Sequence, residues 1–296
     1  MREVDLHLHT TFSDGTLSPT ELVQLCAKNG LKTISITDHD STEGVEEAIR
    51  VADNLSGLTV IPGVELSTDV PGSEIHLLGY FVQYHDPQFQ RVLHELRNGR
   101  NHRAQEMVKK LHSLGIDISW KRVKEISADG AIGRPHIAQA MVEKEYVKYP
   151  RDAFDKYLGR NGAAYVERMK LTPIRAVEML VENGAVPVMA HPSFYTSKDI
   201  ADQDTSLRKI LNELKHAGLV GLEVHYGGYS IQQIEKYNDI ANELGLIPCG
   251  GSDYHASGNP NEPEPGSAGP PMSTVTTLKS QWRRRRATTT KNESSK

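Results

Sequence analysis

The chain has 296 residues, of which 38% are hydrophobic and 24% are charged, and its formal net charge is −4. This length suits one large α/β domain or two small ones. A slightly acidic chain binds nucleic-acid backbones poorly without local contacts, so we expect no stable nucleic-acid complex. The two cysteines, Cys26 and Cys249, make no disulfide framework. No apolar run approaches the roughly 18 residues of a membrane span, and acids appear near the N-terminus, so the sequence predicts a cytoplasmic protein with no membrane partner.

Strand and helix patterns alternate along most of the chain. Strands are predicted in chain order at residues 5–9, 33–37, 58–67, 75–82, 185–192, 221–226 and 247–255. Helices are predicted at residues 18–30, 43–55, 88–114, 173–184, 205–217 and 230–245, the first of them opening on a capping box. Repeated βα units of this kind favour a parallel sheet that closes, or nearly closes, into a barrel.

Two segments interrupt this alternation. Residues 99–169 have helical patterns only, which predicts an all-helical insertion that caps the substrate end of the barrel. Residues 1–98 and 170–255 would then form the barrel domain. Residues 256–296 make a C-terminal extension that is rich in proline and glycine and ends in a polar, basic tail with the run Arg283–Arg286. We expect the last part of this extension to be disordered and its arginines to be solvated.

The first strand, with the sequence DLHLH, places polar side chains at alternate positions. Asp5, His7 and His9 share one face because residues two apart on a strand point the same way. A buried parallel strand is normally apolar on both faces, so these side chains need a partner, and a metal ion would provide one. The alternative is an edge strand whose histidines face solvent.

Further residues of the metal-binding type follow the ends of other predicted strands. They are Asp14, Asp38, His39, Asp40, Glu65, His76, His191, Asp253 and His255. The C-terminal ends of parallel barrel strands meet on one rim, so most of these side chains are expected to converge. Nitrogen and oxygen ligands in this number suit two or three ions, and the absence of thiolates favours manganese, zinc or iron.

Seven motifs occur in one order: DLHLHT, SDG, TDHD, GVE, IHLLG, AHP and SDYH. In this set the chain resembles the polymerase-and-histidinol-phosphatase (PHP) family, which implies a distorted (β/α)7 barrel of the α/β class with a trinuclear metal centre. The helical insertion contains GRPHIA, at residues 133–138, and in this it is similar to the nucleotidase and exoribonuclease branch. Members of that branch are 3′,5′-nucleoside bisphosphate phosphatases and 5′-to-3′ exonucleases that trim short RNAs.

The resemblance also implies roles for individual residues. Three divalent ions are expected, most simply manganese, with zinc, iron or magnesium open. The implied ligands are His7, His9 and Asp253 for one ion, His76 and His191 for a second, Asp14, His39 and His255 for the third, and Glu65 as the bridge between the first two. Glu65, His191 and Asp253 are implied to be catalytic, and Asp5, Asp38 and Asp40 to orient histidines. Candidate substrate-binding residues are Arg134 and His136 in the insertion motif, and His225 after a predicted strand.

The implied activity is that of an enzyme, a hydrolase of phosphate esters in which a metal-bridging hydroxide attacks phosphorus. The expected substrate is a 3′,5′-nucleoside bisphosphate or a short 5′-phosphorylated oligoribonucleotide. Three alternatives stay open: a histidinol-phosphatase-like phosphomonoesterase, an amidohydrolase-type C–N hydrolase, and a non-catalytic metal-binding module. Arg97, Arg100 and Arg103 recur at helical spacing, which is typical of a solvated face, although one of them could bind phosphate.

Overall fold

The computed structural model describes residues 2–70, 73–128, 130–167, 171–196 and 202–293. The strands are β1 (Val4–Leu8), β2 (Thr33–Ile36), β3 (Thr59–Val70), β4 (Ser73–Tyr80), β5 (Val186–Met189), β6 (Gly221–Tyr226) and β7 (Ile247–Gly251). The helices are α1 (Pro19–Lys28), α2 (Val45–Asp53), α3 (Pro87–Ser113), α4 (Trp120–Ser127), α5 (Arg134–Glu143), α6 (Pro150–Ala153), α7 (Pro173–Glu182), α8 (Gln203–Ala217), α9 (Ile231–Leu244) and α10 (Met272–Glu293). A short π-helical turn, Phe154–Leu158, continues α6. Along the described ranges, no helix combines the length and apolar character that crossing a membrane requires.

The seven strands form one sheet in sequence order from β1 to β7. The sheet curls until its ends nearly meet, because Leu8 of β1 bridges Tyr254, which follows β7, in parallel. Two main-chain hydrogen bonds tie this seam together, from the His9 N–H to the Tyr254 carbonyl at 3.0 Å and from the Asp253 N–H to the His7 carbonyl at 2.9 Å. The predicted α/β barrel class is confirmed, and the seam brings the first motif of the chain next to the last.

The fourth strand departs from the expected parallel barrel. β4 pairs antiparallel with both β3 and β5, whereas the other strand pairs are parallel. In the β3–β4 register, Ser67 lies opposite His76 and Asp69 lies opposite Glu74. The beginning of β4 therefore lies at the same rim as the C-terminal ends of the parallel strands. This reversal explains how His76, which comes early in its strand, reaches the rim.

The insertion packs around its own apolar core. Residues Ala104, Met107, Val108 and Leu111 on the second half of α3 pack with buried side chains of α4, α5, α6 and the π-helical turn. A larger cluster packs α7, α8 and α9 against the outside of the barrel. Helix α3 belongs to both regions, because its first half contributes Phe89 and Leu93 to the barrel cluster. The described residues of the insertion form helices and turns without a strand, as predicted; the domain boundaries stay a prediction.

The C-terminal extension contains a helix that the sequence analysis did not predict, and disorder of its last part stays a prediction. Helix α10 reaches Glu293, and it lies where β1, β5 and β7 begin, at the end of the barrel opposite the predicted ligands. Leu278 is fully buried there, and the Trp282 ring stacks on Phe81 with the ring centroids 5.1 Å apart. Arg285 donates a hydrogen bond of 2.6 Å to the Gly218 carbonyl. Few apolar residues make these contacts, so the polar composition concealed the helix.

Replacing Leu278 with alanine should destabilise the protein, because the side chain closes the barrel core. We expect the free energy of unfolding to fall by about 2–5 kcal/mol, the usual cost of emptying a buried leucine site. Chemical denaturation monitored by circular dichroism measures this change. Thr276→Ala, at an exposed position of the same helix, is the matched control and should change it by less than about 0.5 kcal/mol. Equal stabilities of the two variants would contradict the closing role of α10.

Candidate metal centre

All nine predicted ligands converge at the rim of the barrel, around the buried carboxylate of Glu65. Five imidazole nitrogens lie within 3.2 Å of its two oxygens. They belong to His7 (3.2 Å), His9 (3.2 Å), His39 (3.1 Å), His76 (2.9 Å) and His191 (3.0 Å). A single carboxylate with this many nitrogen neighbours occupies the position expected of a bridging ligand.

The remaining predicted ligands lie on two sides of this centre. One Asp253 oxygen is 3.1 Å from both His7 Nε2 and His9 Nε2, which completes the group His7, His9, Glu65 and Asp253. Asp14 lies 3.3 Å from His255 Nε2 and 3.6 Å from His39 Nε2, and with His9 these residues form a second group. A third group contains His39, Glu65 and His76. His39 thus lies between two groups, whereas the sequence places it in the third site alone; the assignment of each ligand to one ion stays a prediction.

Local backbone conformation brings several of these side chains to the rim. His191 and Asp253 have positive φ angles of 23° and 57°, values that side-chain-bearing residues seldom adopt. Such strain is held by surrounding structure and is concentrated at functional sites. Gly251, next to Ser252 and Asp253, permits the close approach of β7 to β1, because a Cβ there would lie 2.4 Å from the Cβ of His7. The positions of these ligands therefore depend on two positive φ angles and on the close packing of Gly251 against His7.

A carboxylate that the sequence analysis missed orients two of the histidines. Glu223 in β6 is fully buried; one of its oxygens is 3.0 Å from His7 Nδ1, and the other accepts a 2.7 Å hydrogen bond from the His191 N–H. A carboxylate on Nδ1 fixes the tautomer that presents Nε2 to a metal. The available signal was an acidic residue inside an otherwise apolar, buried strand, which must have a partner.

The three aspartates expected to orient histidines make other contacts among the described residues. Asp5 accepts main-chain N–H groups of His7, Ser252 and Gly266 and so joins the barrel seam to the extension. Asp38 accepts the Thr10 N–H and the hydroxyl groups of Thr10 and Ser13, and the Ser13 hydroxyl lies 3.4 Å from His9 Nδ1. Asp40 binds Arg100 and the Ser67 N–H. Asp38 is linked to the imidazole of His9 through Ser13.

The electrostatics of the cluster favour a bound cation. Burial by itself would raise the pKa of Glu65, but the histidines His39, His7 and His76 hold it well below its usual value. Burial would likewise lower the pKa of His7, yet the carboxylates of Asp253, Glu223 and Glu65 raise it well above the ordinary value. The pKa of Asp253 is likewise held well below its usual value, mainly by His7 and His9, so the buried carboxylates of Glu65 and Asp253 favour positive charge nearby. Divalent ions can supply that charge in place of protons on the imidazoles.

Unpaired polar atoms provide a direct test of whether a metal fits. Buried polar atoms nearly always have a hydrogen-bond partner. In the described part of the chain, several buried polar atoms of the predicted ligands lie close to one another but make no hydrogen bond. They are His7 Nε2, His9 Nε2, Asp14 Oδ1, His39 Nδ1 and Glu65 Oε2. Lone pairs of this type on nitrogen and carboxylate oxygen are the donors that first-row divalent ions accept. The residues present therefore fit a metal centre.

A cavity of about 620 Å³ opens above this cluster and is large enough for a nucleotide. Its lining includes the predicted ligands Asp14, His39, Glu65, His76, His191, Asp253 and His255, together with the arginines Arg100, Arg103, Arg134 and Arg160. Arg100 and Arg103 are buried, so this face of α3 is not the solvated stripe that its spacing suggested. The face turns inward because α3 crosses the rim, where Arg100 binds Asp40 at 2.5 Å.

The candidate substrate-binding residues have different positions. Arg134 lines the cavity and forms a 2.7 Å ion pair with Glu74 of β4. His136 is buried beside it, where its Nδ1 accepts the Gly133 N–H at 2.9 Å, so it caps α5. Neither His136 nor His225 is among the described side chains that line the cavity. The role of both in substrate binding stays a prediction, and the structure gives His136 a positioning contact instead.

Comparisons with known proteins agree with this geometry. The PHP domain model matches residues 5–158. Over 256 residues the chain is 33% identical to a 5′-3′ exoribonuclease of Haemophilus influenzae, covering 86% of this chain and 90% of the relative. It is 32% identical over 264 residues to a 3′,5′-nucleoside bisphosphate phosphatase of Chromobacterium violaceum, covering 87% and 89%. A solved structure from Bifidobacterium adolescentis, assigned as a metal-dependent phosphoesterase, superposes with a TM-score of 0.84 at 29% identity, covering 95% and 96%.

Replacing Glu223 with glutamine should weaken metal binding without removing a predicted ligand. The amide keeps the size of the side chain but cannot accept from both His7 and the His191 main chain as a carboxylate does. Loss of such an orienting contact typically lowers metal affinity by about 10- to 100-fold. Isothermal titration calorimetry with manganese or zinc measures the affinity of the protein for the metal. Glu235→Gln, which removes one exposed carboxylate of α9, is the matched control; affinities equal to that control would refute the role of Glu223.

Proposed function

The chain belongs to the PHP-domain family of metal-dependent phosphoesterases, and from this premise we propose that it hydrolyses 3′,5′-nucleoside bisphosphates or short 5′-phosphorylated oligoribonucleotides. One observation carries the choice of substrate. A single cavity joins the cluster around Glu65 to several arginines contributed by α3, α5 and the turn after the π-helix. A substrate with one phosphate needs only part of this surface, whereas one with two phosphates uses both ends.

The two ends of the cavity differ in how their arginines are held. Arg100 lies near the cluster, and its side chain is fixed by Asp40 and by the Ser67 hydroxyl. It is suited to neutralise the phosphate that reacts. Arg134 is further along, supported by the Phe154 ring at 5.6 Å and paired with Glu74, which also lies 4.0 Å from Arg103. Arginine binds phosphate with a planar pair of N–H donors, so Arg134 is suited to a second phosphate.

The same geometry supports a metal centre of three ions, most simply manganese. The ligand atoms form three overlapping groups, all of nitrogen and oxygen donors. When bound, divalent ions supply a water that is nucleophilic at neutral pH and positive charge for the phosphoryl oxygens. The protein contributes Glu65 to hold two groups together, Glu223 to orient His7, and Arg100 to balance charge beside them. Glu65, His191 and Asp253 remain the residues that we propose as most important for turnover.

The alternative activities lack comparable support. Amidohydrolase-type C–N hydrolases often use a modified lysine as a ligand, and the described lining of the cavity contains no lysine. A degenerate, non-catalytic module is expected to have lost ligands, whereas each predicted position here carries one and reaches the cluster. A histidinol-phosphatase-like monoesterase would leave the Arg134 end of the cavity without a role. Phosphate release from bisphosphates, short RNA, histidinol phosphate and a hydantoin-type amide distinguishes these activities.

Replacing Glu65 with alanine should remove the centre around which the ions are bound. Purified wild-type protein equilibrated with manganese should contain about three ions per chain, and the variant should lose at least one of them along with nearly all activity. Elemental analysis and a phosphate-release assay measure the two effects on the same samples. Glu235→Ala is the control for loss of one carboxylate. Full metal content in Glu65→Ala would exclude the bridging role.

Replacing Arg134 with alanine should slow the hydrolysis of bisphosphates more than that of simple aryl phosphates. The lost contact between arginine and phosphate is worth about 2–3 kcal/mol, which lowers kcat/KM roughly 30- to 100-fold for the substrate that reaches it. Steady-state kinetics on a nucleoside 3′,5′-bisphosphate and on an aryl phosphate measure the difference.

Two further variants make this experiment specific. Arg134→Ala leaves the Glu74 carboxylate without its closest cation, so that Glu74 would repel a phosphate. The double variant Arg134→Ala/Glu74→Gln removes this repulsion and measures the loss of the arginine contact alone. Arg122→Ala, on the exposed surface of the insertion, is the matched arginine control. An equal loss on both substrates would place Arg134 at the reacting phosphate, and no loss on either would exclude it from substrate binding.

A further inference from the structure

An aromatic ring at the cavity wall is exposed although it lies beside the metal-binding cluster. Phe194 ends a short 3₁₀ turn, Pro192–Phe194, that follows His191 directly. Its relative exposure is 55%, and it is one of the side chains that line the cavity. Single exposed aromatic residues are common on protein surfaces. This one differs because it lies inside a cavity whose other lining residues are mostly of charged or polar types.

The ring is supported from one side and open on the remainder. Its centroid is 4.5 Å from that of His191, with the planes at 37°, and 5.8 Å from that of Tyr226 in an edge-to-face arrangement. These neighbours hold the ring without covering it. Apart from the imidazoles of the predicted ligands, the other aromatic ring in the described lining is that of Phe154, which already contacts the Arg134 guanidinium. Phe194 is therefore the ring available to a ligand.

The backbone that carries Phe194 is fixed by contacts on both sides. The Ser193 N–H donates to the Tyr229 hydroxyl at 3.1 Å, and the Thr196 N–H donates to the Ser73 hydroxyl at 2.9 Å. Ser73 itself is buried in β4, next to Glu74. A ring on a backbone tied to two separate elements loses little conformational freedom when a ligand stacks on it, which favours binding.

We propose that Phe194 is the stacking platform for the nucleobase attached to the reacting phosphate, and thus a residue that determines specificity for nucleotides. The inference rests on the proposed function and names how the substrate is recognised. The platform adjoins His191, which is 3.0 Å from Glu65, so a base stacked there belongs to the nucleotide whose phosphate lies at the cluster. Every base has a stackable face, so this contact selects nucleotides over other phosphate esters without reading sequence.

The test compares a nucleoside 3′,5′-bisphosphate with its abasic analogue, in which hydrogen replaces the base. Phe194→Ala should reduce the preference for the base-bearing substrate, expressed as the ratio of the two kcat/KM values, by roughly tenfold or more. Phe194→Tyr should restore the ratio because it keeps the ring, and Phe194→Leu should not, although it is apolar. Metal content measured on each variant shows whether His191 has been disturbed.

Binding provides a readout that does not require turnover. In Phe194→Trp, a nucleotide added without metal should quench the fluorescence of the new indole, whereas the abasic analogue should not. An unchanged ratio of kcat/KM in Phe194→Ala, or full restoration by leucine, would overturn the proposal. Failure of wild-type protein to release phosphate from either substrate would instead count against the proposed function, and the quenching result would still decide the role of Phe194.

Discussion

The buried carboxylate of Glu65 and the five imidazoles around it impose the main constraint on this structure. Charged and polar groups are costly to bury unless each is compensated, and here they lie together at the end of a barrel whose interior is apolar below them. Glu223 contacts the Nδ1 atom of His7, and Ser13, which is bonded to Asp38, lies near the Nδ1 atom of His9. The remaining nitrogen and oxygen lone pairs point to positions that cations can occupy. His191 and Asp253 adopt strained backbone conformations because these conformations bring their side chains to the same point.

The sequence predicted most of the barrel because its signals are local. Alternating strand and helix patterns are decided by neighbouring residues, and all seven strands form where those patterns lie. The reversed direction of β4 was not predictable, since strand direction depends on pairing partners and leaves no mark on hydrophobic alternation. The helix α10 was missed for a related reason. Its stability comes from a few contacts, such as Leu278 with the barrel core, and not from a strong amphipathic pattern.

At the site, the predicted ligands could be named from local sequence, whereas the residues around them are defined by tertiary contacts. Histidines and acids in short motifs at strand ends could be named, because barrel topology brings those ends together. Histidines outside these motifs, such as His85, His94, His102, His112 and His216, are exposed. Glu223 could not be assigned, because its contacts with His7 and His191 arise only in the fold, and the same holds for the neighbours that lead us to propose a role for Phe194. Arg134 was identified from its motif, but its ion pair with Glu74 joins residues far apart in sequence.

That ion pair has a consequence for the kind of anion the cavity accepts. Arg100 is held by Asp40, a fully buried partner, so its charge is a fixed part of the site. Glu74 is partly exposed at the cavity wall, and Arg134 holds its pKa down to about 2 despite burial, so it presents a carboxylate at neutral pH. A ligand at this end must therefore compete with an attached carboxylate. A monovalent carboxylate gains little from that exchange, whereas a phosphate dianion brings more charge and can occupy both Arg134 and Arg103. Under the proposed function, we therefore expect the pairing of Arg134 with Glu74 to make this end of the cavity favour a phosphate dianion over a singly charged anion.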